Sequence, residues 1–212
     1  DIAKLEAICD LHEEAANHVA NEAEKNNGYR PKIYTDFDSM ISESGIDILD
    51  IVTDTKTHHA FAIKAMNKGI SVLTEKPMGI TLKACRKMKD VQEKNNVKLA
   101  VAENYRRDPM NRLVKALIDE GAIGDLQMVI DVSVSGGGYL MHGTGWRAKK
   151  SLAGSLILEQ GVHTSDLILY FMGKAKTIYA KTGVLNPIRK TSGMLNEQLK
   201  KFYGHRVEDQ LD

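Results

Sequence analysis

Only two of the 212 residues are cysteine, Cys9 and Cys85, so a disulfide framework is excluded. Both fall in apolar-periodic stretches and read as buried, reduced thiols. Charge of one sign is not in excess either: 29 Lys plus Arg face 28 Asp plus Glu. That balance excludes a basic nucleic-acid face or a polybasic membrane patch as the main business of the chain. Long hydrophobic runs are missing as well. The longest, Leu167 to Met172, falls far short of the roughly 20 residues a spanning helix needs. No signal-peptide pattern opens the chain, and no repeat or low-complexity tract interrupts it. A soluble, cytoplasmic protein is therefore expected. What is present is ordinary: 42% hydrophobic and 27% charged residues belong to a globular chain and exclude wholesale disorder. The length suffices for one large core or two small ones. The initiator Met is the last absence. Asp1 stands directly ahead of an apparent strand, as in a piece of something longer.

Along the first half, short apolar runs alternate with amphipathic segments. Strands are expected at Lys4–Cys9, Lys32–Tyr34, Ile48–Val52, Ile70–Leu73 and Val97–Ala102. Ile48–Val52 is apolar but for Asp50 and is read as a strand covered on both faces. Helices are expected at about His12–Lys25, a brief stretch ending at Gly45, Thr57–Lys68, a segment capped by Thr81, and Pro109–Glu120. Strands separated by helices of this length imply βαβ units and a parallel sheet. After Gly124 the pattern becomes α+β. It comprises a half-exposed strand at Leu126–Ser135, a loop with Gly136, Gly137, Gly138, Gly143 and Gly145, a helix at about Gly161–Met172, and a strand near Lys176–Thr182. The expected division is residues 1–122 and 123–212.

Open parallel sheets bind ligands at the carboxyl ends of their strands, and five features lie there. Asp10 follows the first strand, as an exposed helix cap or as the acid that accepts hydrogen bonds from an adenosine ribose. That acid lies about 20 residues beyond a Gly-rich phosphate turn, and counting back from Asp10 leaves the chain. Thr53 to His59 follows the central strand, with Thr57 as the expected cap; adjacent histidines on a helix point about 100° apart and do not share a metal. Glu75-Lys76-Pro77 ends the next strand, where Lys76 is either a surface ion pair or a group that polarises a substrate oxygen. Asn104-Tyr105-Arg106 ends the last strand. Glu159, His163 and Asp166, spaced i, i+4, i+7, share one helical face. Such a face suits a metal, an ionic cluster, or a histidine base oriented by carboxylates.

Together these pieces resemble the Gfo/Idh/MocA family of NAD(P)-dependent sugar and cyclitol oxidoreductases. The carrying residues are Ala7-Ile8-Cys9-Asp10, Thr53 with His58 through Ala65 to Gly69, and Val72 to Pro77. They continue in Asn104-Tyr105-Arg106, Gly121 to Gly124, Trp146-Arg147, and Gly161-Val162-His163 with Asp166. The resemblance implies an α/β Rossmann domain followed by an α+β domain with an open, mainly antiparallel sheet that often makes a dimer or tetramer interface. It implies that the first βα unit, with its phosphate turn, precedes Asp1, and that Gly204 to Asp209 leads into further strands.

The resemblance also implies roles. Lys76, His163 and Glu159 are the catalytic residues, with Lys76 beside nicotinamide and substrate and His163 exchanging the hydroxyl proton. Glu159 orients or charges His163; relatives of the inositol dehydrogenase type have Asp there. Asp10, Thr53, His58, Glu75, Lys76, Asn104, Trp146 and Arg147 are expected at the cofactor, although Trp146 equally suits a core. The Thr-Pro-Asn of many members is Thr53-Asp54-Thr55 here. The implied cofactor is NAD, with NADP the alternative, since Asp10 repels a 2′-phosphate and Leu11-His12 supplies no arginine, whereas Arg30 is close in sequence. A sugar, polyol or cyclitol alcohol is the expected substrate, a homodimer or homotetramer the expected assembly, and no metal is expected. A non-catalytic NAD-binding regulator and an NAD-using glycoside hydrolase are the alternatives.

Overall fold

The alternation of apolar runs and amphipathic stretches becomes a series of parallel strands and crossover helices. The computed structural model describes residues 3–133, 146–147 and 150–183. Two parallel sheets form. In one, β1 (Ala7–Cys9) pairs with β2 (Lys32–Tyr34), Ile8 opposite Ile33. In the other, the order is β3 (Ile48–Ile51), β4 (Ser71–Thr74), β5 (Leu99–Val101), with Leu49 opposite Val72 and Leu73 opposite Ala100.

Apart from the first, whose start has no side-chain cap, the helices of the first half begin where a side-chain oxygen can take an orphan backbone N–H. Helix α1 is Glu13–Asn27, closed by left-handed Gly28. Helix α2 (Phe37–Glu43) is capped by Asp36, whose carboxyl the Ser39 backbone N–H and then the Ser39 hydroxyl hold below the usual range. Helix α3 (Thr55–Met66) is capped by Asp54, which accepts from the Thr57 N–H. The expected cap, Thr57, is thus a donor within the first turn, because the carboxylate three residues earlier takes its N–H. Thr81 caps α4 (Leu82–Asn95) as expected. Helices α5 (Asn104–Arg107) and α6 (Pro109–Asp119) follow, capped by Glu103 and Asp108.

The core lies between the three-stranded sheet and helices α3 and α4. Ala62, Ala65, Met66 and Met88 have no exposed surface, and Leu49, Ile51 and Val72 pack against them. Alanines let α3 approach closely, and unbranched methionines fill the remaining gaps. Met66→Ala is expected to cost about 2–5 kcal/mol, measured by urea unfolding of the full-length protein. A cost below about 1 kcal/mol would mean that the site collapses around the smaller side chain.

Two expectations change. Ile48–Val52 is not covered on both faces by the described residues: Ile48 is 63% and Val52 71% exposed, since α3 packs one face only. Residues 126–133 and 176–182 take no regular strand structure. Apolar–polar alternation alone makes no ladder; a strand also needs a partner, and none pairs with them among the described residues. The expected glycine loop at 136–145, the end of the Leu126–Ser135 strand and the Gly204–Asp209 segment lie outside the described residues. Both cysteines are only partly buried. Burial raises the Cys9 thiol, with help from Asp36 and then Asp10, and burial raises Cys85 too.

Candidate active site

The second half reaches the first through helix α8 (Leu156–Met172). It starts about a turn and a half earlier than the sequence pattern suggests, and so places Glu159, His163 and Asp166 on one continuous helix. A short helix, α7 (Lys150–Ala153), turns into it through Gly154, whose φ of +87° suits glycine. A Cβ at Gly154 would lie 2.5 Å from the Leu158 side chain. Ser155 then caps α8 by accepting from the Leu158 N–H at 3.1 Å.

On the first-half side, β4 delivers Lys76 to meet this helix. Lys76 Nζ donates to Glu159 Oε1 and to the Glu159 carbonyl oxygen, both at 2.9 Å. The Lys76 side chain is 12% exposed and that of Glu159 only 2%. Arg147 Nε donates to the same Glu159 Oε1 at 3.1 Å, and its guanidinium lies 4.9 Å from the Trp146 ring centroid. A carboxylate this deep is tolerable because two cationic donors converge on it. Its second oxygen, Oε2, is buried without a hydrogen-bond partner among the described residues.

His163 stands one turn further along α8 and is buried. Its Nδ1 is 2.6 Å from Glu103 Oε1, and its ring stacks on Tyr105 with centroids 4.1 Å apart and planes 16° from parallel. Glu103 is the residue that sequence reasoning missed. The one signal for it was an acid following an apolar strand directly, in Ala102-Glu103. The expected partner for His163 was Glu159, one turn away on the same face. Lys76 and Arg147 draw the Glu159 carboxylate to themselves, and Glu103 takes the ring nitrogen. Asp166 is held by Arg106 through two bonds of 2.8 and 2.7 Å, which raise the guanidinium further above its ordinary value. Arg106 also lies 4.7 Å from the Tyr170 ring centroid.

The remaining expected residues occupy the carboxyl ends of strands. Asp10, exposed after β1, accepts from the His12 N–H at 2.8 Å. Thr53 follows β3, with its hydroxyl 2.8 Å from that of Thr57. Glu75 accepts from the Lys76 backbone N–H at 3.0 Å. Asn104 opens α5 with an exposed side chain. His58 is buried in α3, with Nδ1 2.9 Å from the Pro77 carbonyl oxygen and Nε2 3.1 Å from that of Thr53. Its ring thus sits between the ends of β3 and β4, against a backbone carbonyl of each connection. Among the described residues no group of three His, Cys, Asp or Glu is arranged to hold a metal ion. No helix among them is long and apolar enough to cross a membrane.

The chain is similar to known proteins along most of its length. Residues 1–103 match the model of an oxidoreductase family with an NAD-binding Rossmann fold, and residues 111–210 match the GFO/IDH/MocA C-terminal domain. Levoglucosan dehydrogenase of Pseudarthrobacter phenanthrenivorans is 32% identical over 184 residues, covering 83% of this chain and 45% of that protein. The structure of a levoglucosan dehydrogenase with NADH and levoglucosan superposes with a TM-score of 0.64 at 31% identity, over 80% of this chain and 45% of that one. The WlbA dehydrogenase from Bordetella pertussis, in complex with NADH and UDP-GlcNAcA, gives a TM-score of 0.69 at 26% identity, over 81% and 48% of the two chains. The chain therefore spans about half the length of these relatives. With family models matched over residues 1–103 and 111–210, the chain belongs to the Gfo/Idh/MocA oxidoreductase family.

Proposed function

We propose that the protein to which these residues belong is an NAD-dependent dehydrogenase or reductase acting on a sugar, polyol or cyclitol alcohol. One observation carries the reading: Lys76, at the end of a nucleotide-domain strand, meets the helix face that bears His163. Its contact, Glu159, lies four residues before the histidine, about 6 Å along the helix axis. A lysine and a histidine brought together from 87 positions apart (Lys76 to His163) suit a reaction that removes a proton from one oxygen while that oxygen is held.

The residues fit the cofactor. Asp10 is exposed at the end of β1, in the place where an acid meets an adenosine ribose. Arg30 is tied to α1, with Nη1 2.5 Å from Asn21 Oδ1 and 3.2 Å from Glu24 Oε2 and Nη2 2.8 Å from Asn17 Oδ1. That leaves it poorly placed to hold a 2′-phosphate, which favours NAD over NADP. Asp10, Thr53, Glu75, Lys76, Asn104, Trp146 and Arg147 would line the cofactor, with His58 supporting them from behind. When bound, NAD supplies the acceptor for a hydride from the carbinol carbon. Lys76 hydrogen-bonds the carbinol oxygen and favours its alkoxide-like form. His163 takes or returns the hydroxyl proton. Glu159 fixes the Lys76 ammonium and, with Arg147, closes the site towards Trp146. A division of the chain near Ala122, a cytoplasmic location and a homodimeric or homotetrameric assembly complete the proposal. Positive φ at Gly121 and Gly124 supports the division.

The test is to titrate the full-length protein with NAD and then supply a panel of sugars, polyols and cyclitols, following NADH absorbance. A substrate-dependent rise is expected with at least one. Firm NAD binding with no rise for any member would favour a regulator and overturn the proposal.

A further inference from the structure

We propose that Glu103 is the positioning residue for His163, a duty that leaves Glu159 to serve Lys76. This inference rests on the reading of His163 as the group that exchanges the substrate proton.

The geometry assigns one carboxylate to each partner. Glu159 Oε1 takes both Lys76 Nζ and Arg147 Nε. Glu103 Oε1 takes His163 Nδ1 at 2.6 Å and the Tyr105 backbone N–H at 3.2 Å. Glu103 is held by its own segment of the chain as well as by the histidine. It lies two residues beyond the end of β5, is only 8% exposed, and its own N–H donates to the Val101 carbonyl at 2.9 Å. The stacked Tyr105 ring sets the plane of the imidazole. The Arg106–Asp166 fork, one turn along α8, sets the distance between the two backbones. Glu103, Tyr105 and Arg106 thus grip His163 and Asp166 as a unit.

A neutral imidazole carries one N–H, and a carboxylate at Nδ1 keeps it there. Nε2 then presents its lone pair to the substrate hydroxyl. On reaction the O–H bond breaks, an Nε2–H bond forms, and the resulting imidazolium stands against a carboxylate. Without Glu103 the ring is free to place its proton on Nε2, where it cannot act as a base.

The experiment uses full-length protein with 15N-labelled histidine, as wild type, Glu103→Ala and Glu103→Gln. Long-range 15N–1H correlation reads the tautomer of His163, assigned by loss of its signals in His163→Ala, without requiring turnover. The wild type is expected as the Nδ1–H form and Glu103→Ala as predominantly Nε2–H. Glu103→Gln keeps a carbonyl oxygen in place and is expected to retain Nδ1–H, which guards against a misfolded alanine variant. In kinetics, Glu103→Ala is expected to lose about 10²–10³-fold in kcat with KM nearly unchanged, and Glu103→Gln to recover part of it. An unchanged tautomer in Glu103→Ala, or kcat within twofold of wild type, would overturn the inference. A tautomer switch in a protein that turns over no alcohol would keep the Glu103 pairing and sink the dehydrogenase proposal instead.

Discussion

Lys76→Met in the full-length protein is expected to lower kcat by about 10²–10⁴-fold, with NAD affinity within a few-fold of wild type. Methionine keeps the unbranched bulk of the stem, so the substitution removes the donor rather than the packing. The lost donor is the one proposed to hold the carbinol oxygen as it becomes alkoxide-like, so the loss should appear in kcat more than in KM. His163→Ala should fall comparably, because proton exchange and oxygen stabilisation act on the same atom. Arginine is no conservative substitute at Lys76: a planar fork cannot reproduce a point donor that bonds two oxygens of Glu159. The check is steady-state kinetics on the best panel substrate beside an NAD titration. Wild-type-like turnover in both Lys76→Met and His163→Ala would remove the assignment.

The largest stability effect is expected at Glu159. Glu159→Leu leaves Lys76 without its anion at 12% exposure, and breaking a buried pair from one side costs about 3–5 kcal/mol. Arg147, a second cation on the same carboxylate, cannot stand in for the lost anion, although its own side chain is 35% exposed and reaches water. The double variant Lys76→Met/Glu159→Leu should recover most of that cost, because two apolar side chains of similar volume replace two charges that had to be desolvated. Urea unfolding of wild type, both single variants and the double variant gives the coupling directly. Additive costs would show that the pair is held open to solvent in the working protein. The design separates two roles, since the double variant should be stable and inactive.

The parallel βα order was legible because it rests on local periods. Val72 and Thr74 are buried in β4 while Ser71 and Leu73 are less so, and helix stops at Gly28 and Gly69 need only a left-handed backbone. Asp54 displaced Thr57 as a cap because its carboxylate takes the Thr57 N–H while the Thr57 hydroxyl donates back to the Asp54 carbonyl. The strand expected at Leu126–Ser135 rested on alternation, which says which face is apolar but names no neighbour, and the one expected near Lys176–Thr182 likewise named none. At the site, Lys76 and His163 were legible from the resemblance of short motifs. Glu103 was not, because its meaning comes from a contact 60 positions away. Glu159 was legible as a residue and misjudged as a partner: helical spacing put it near His163, while the two cations that hold it lie off that helix.

The ionic contacts of helix α8 bear on how such a chain can be recombined. Glu159, His163 and Asp166 on one side answer Lys76, Glu103 and Arg106 on the other. A hybrid that joins the first part of this chain to the second part of a relative inherits three polar pairings at once, each able to accept or reject the graft. Such a graft is therefore expected to fold and work only where those six positions are carried over as matched pairs, and the contact between the two parts is a lock with three pins.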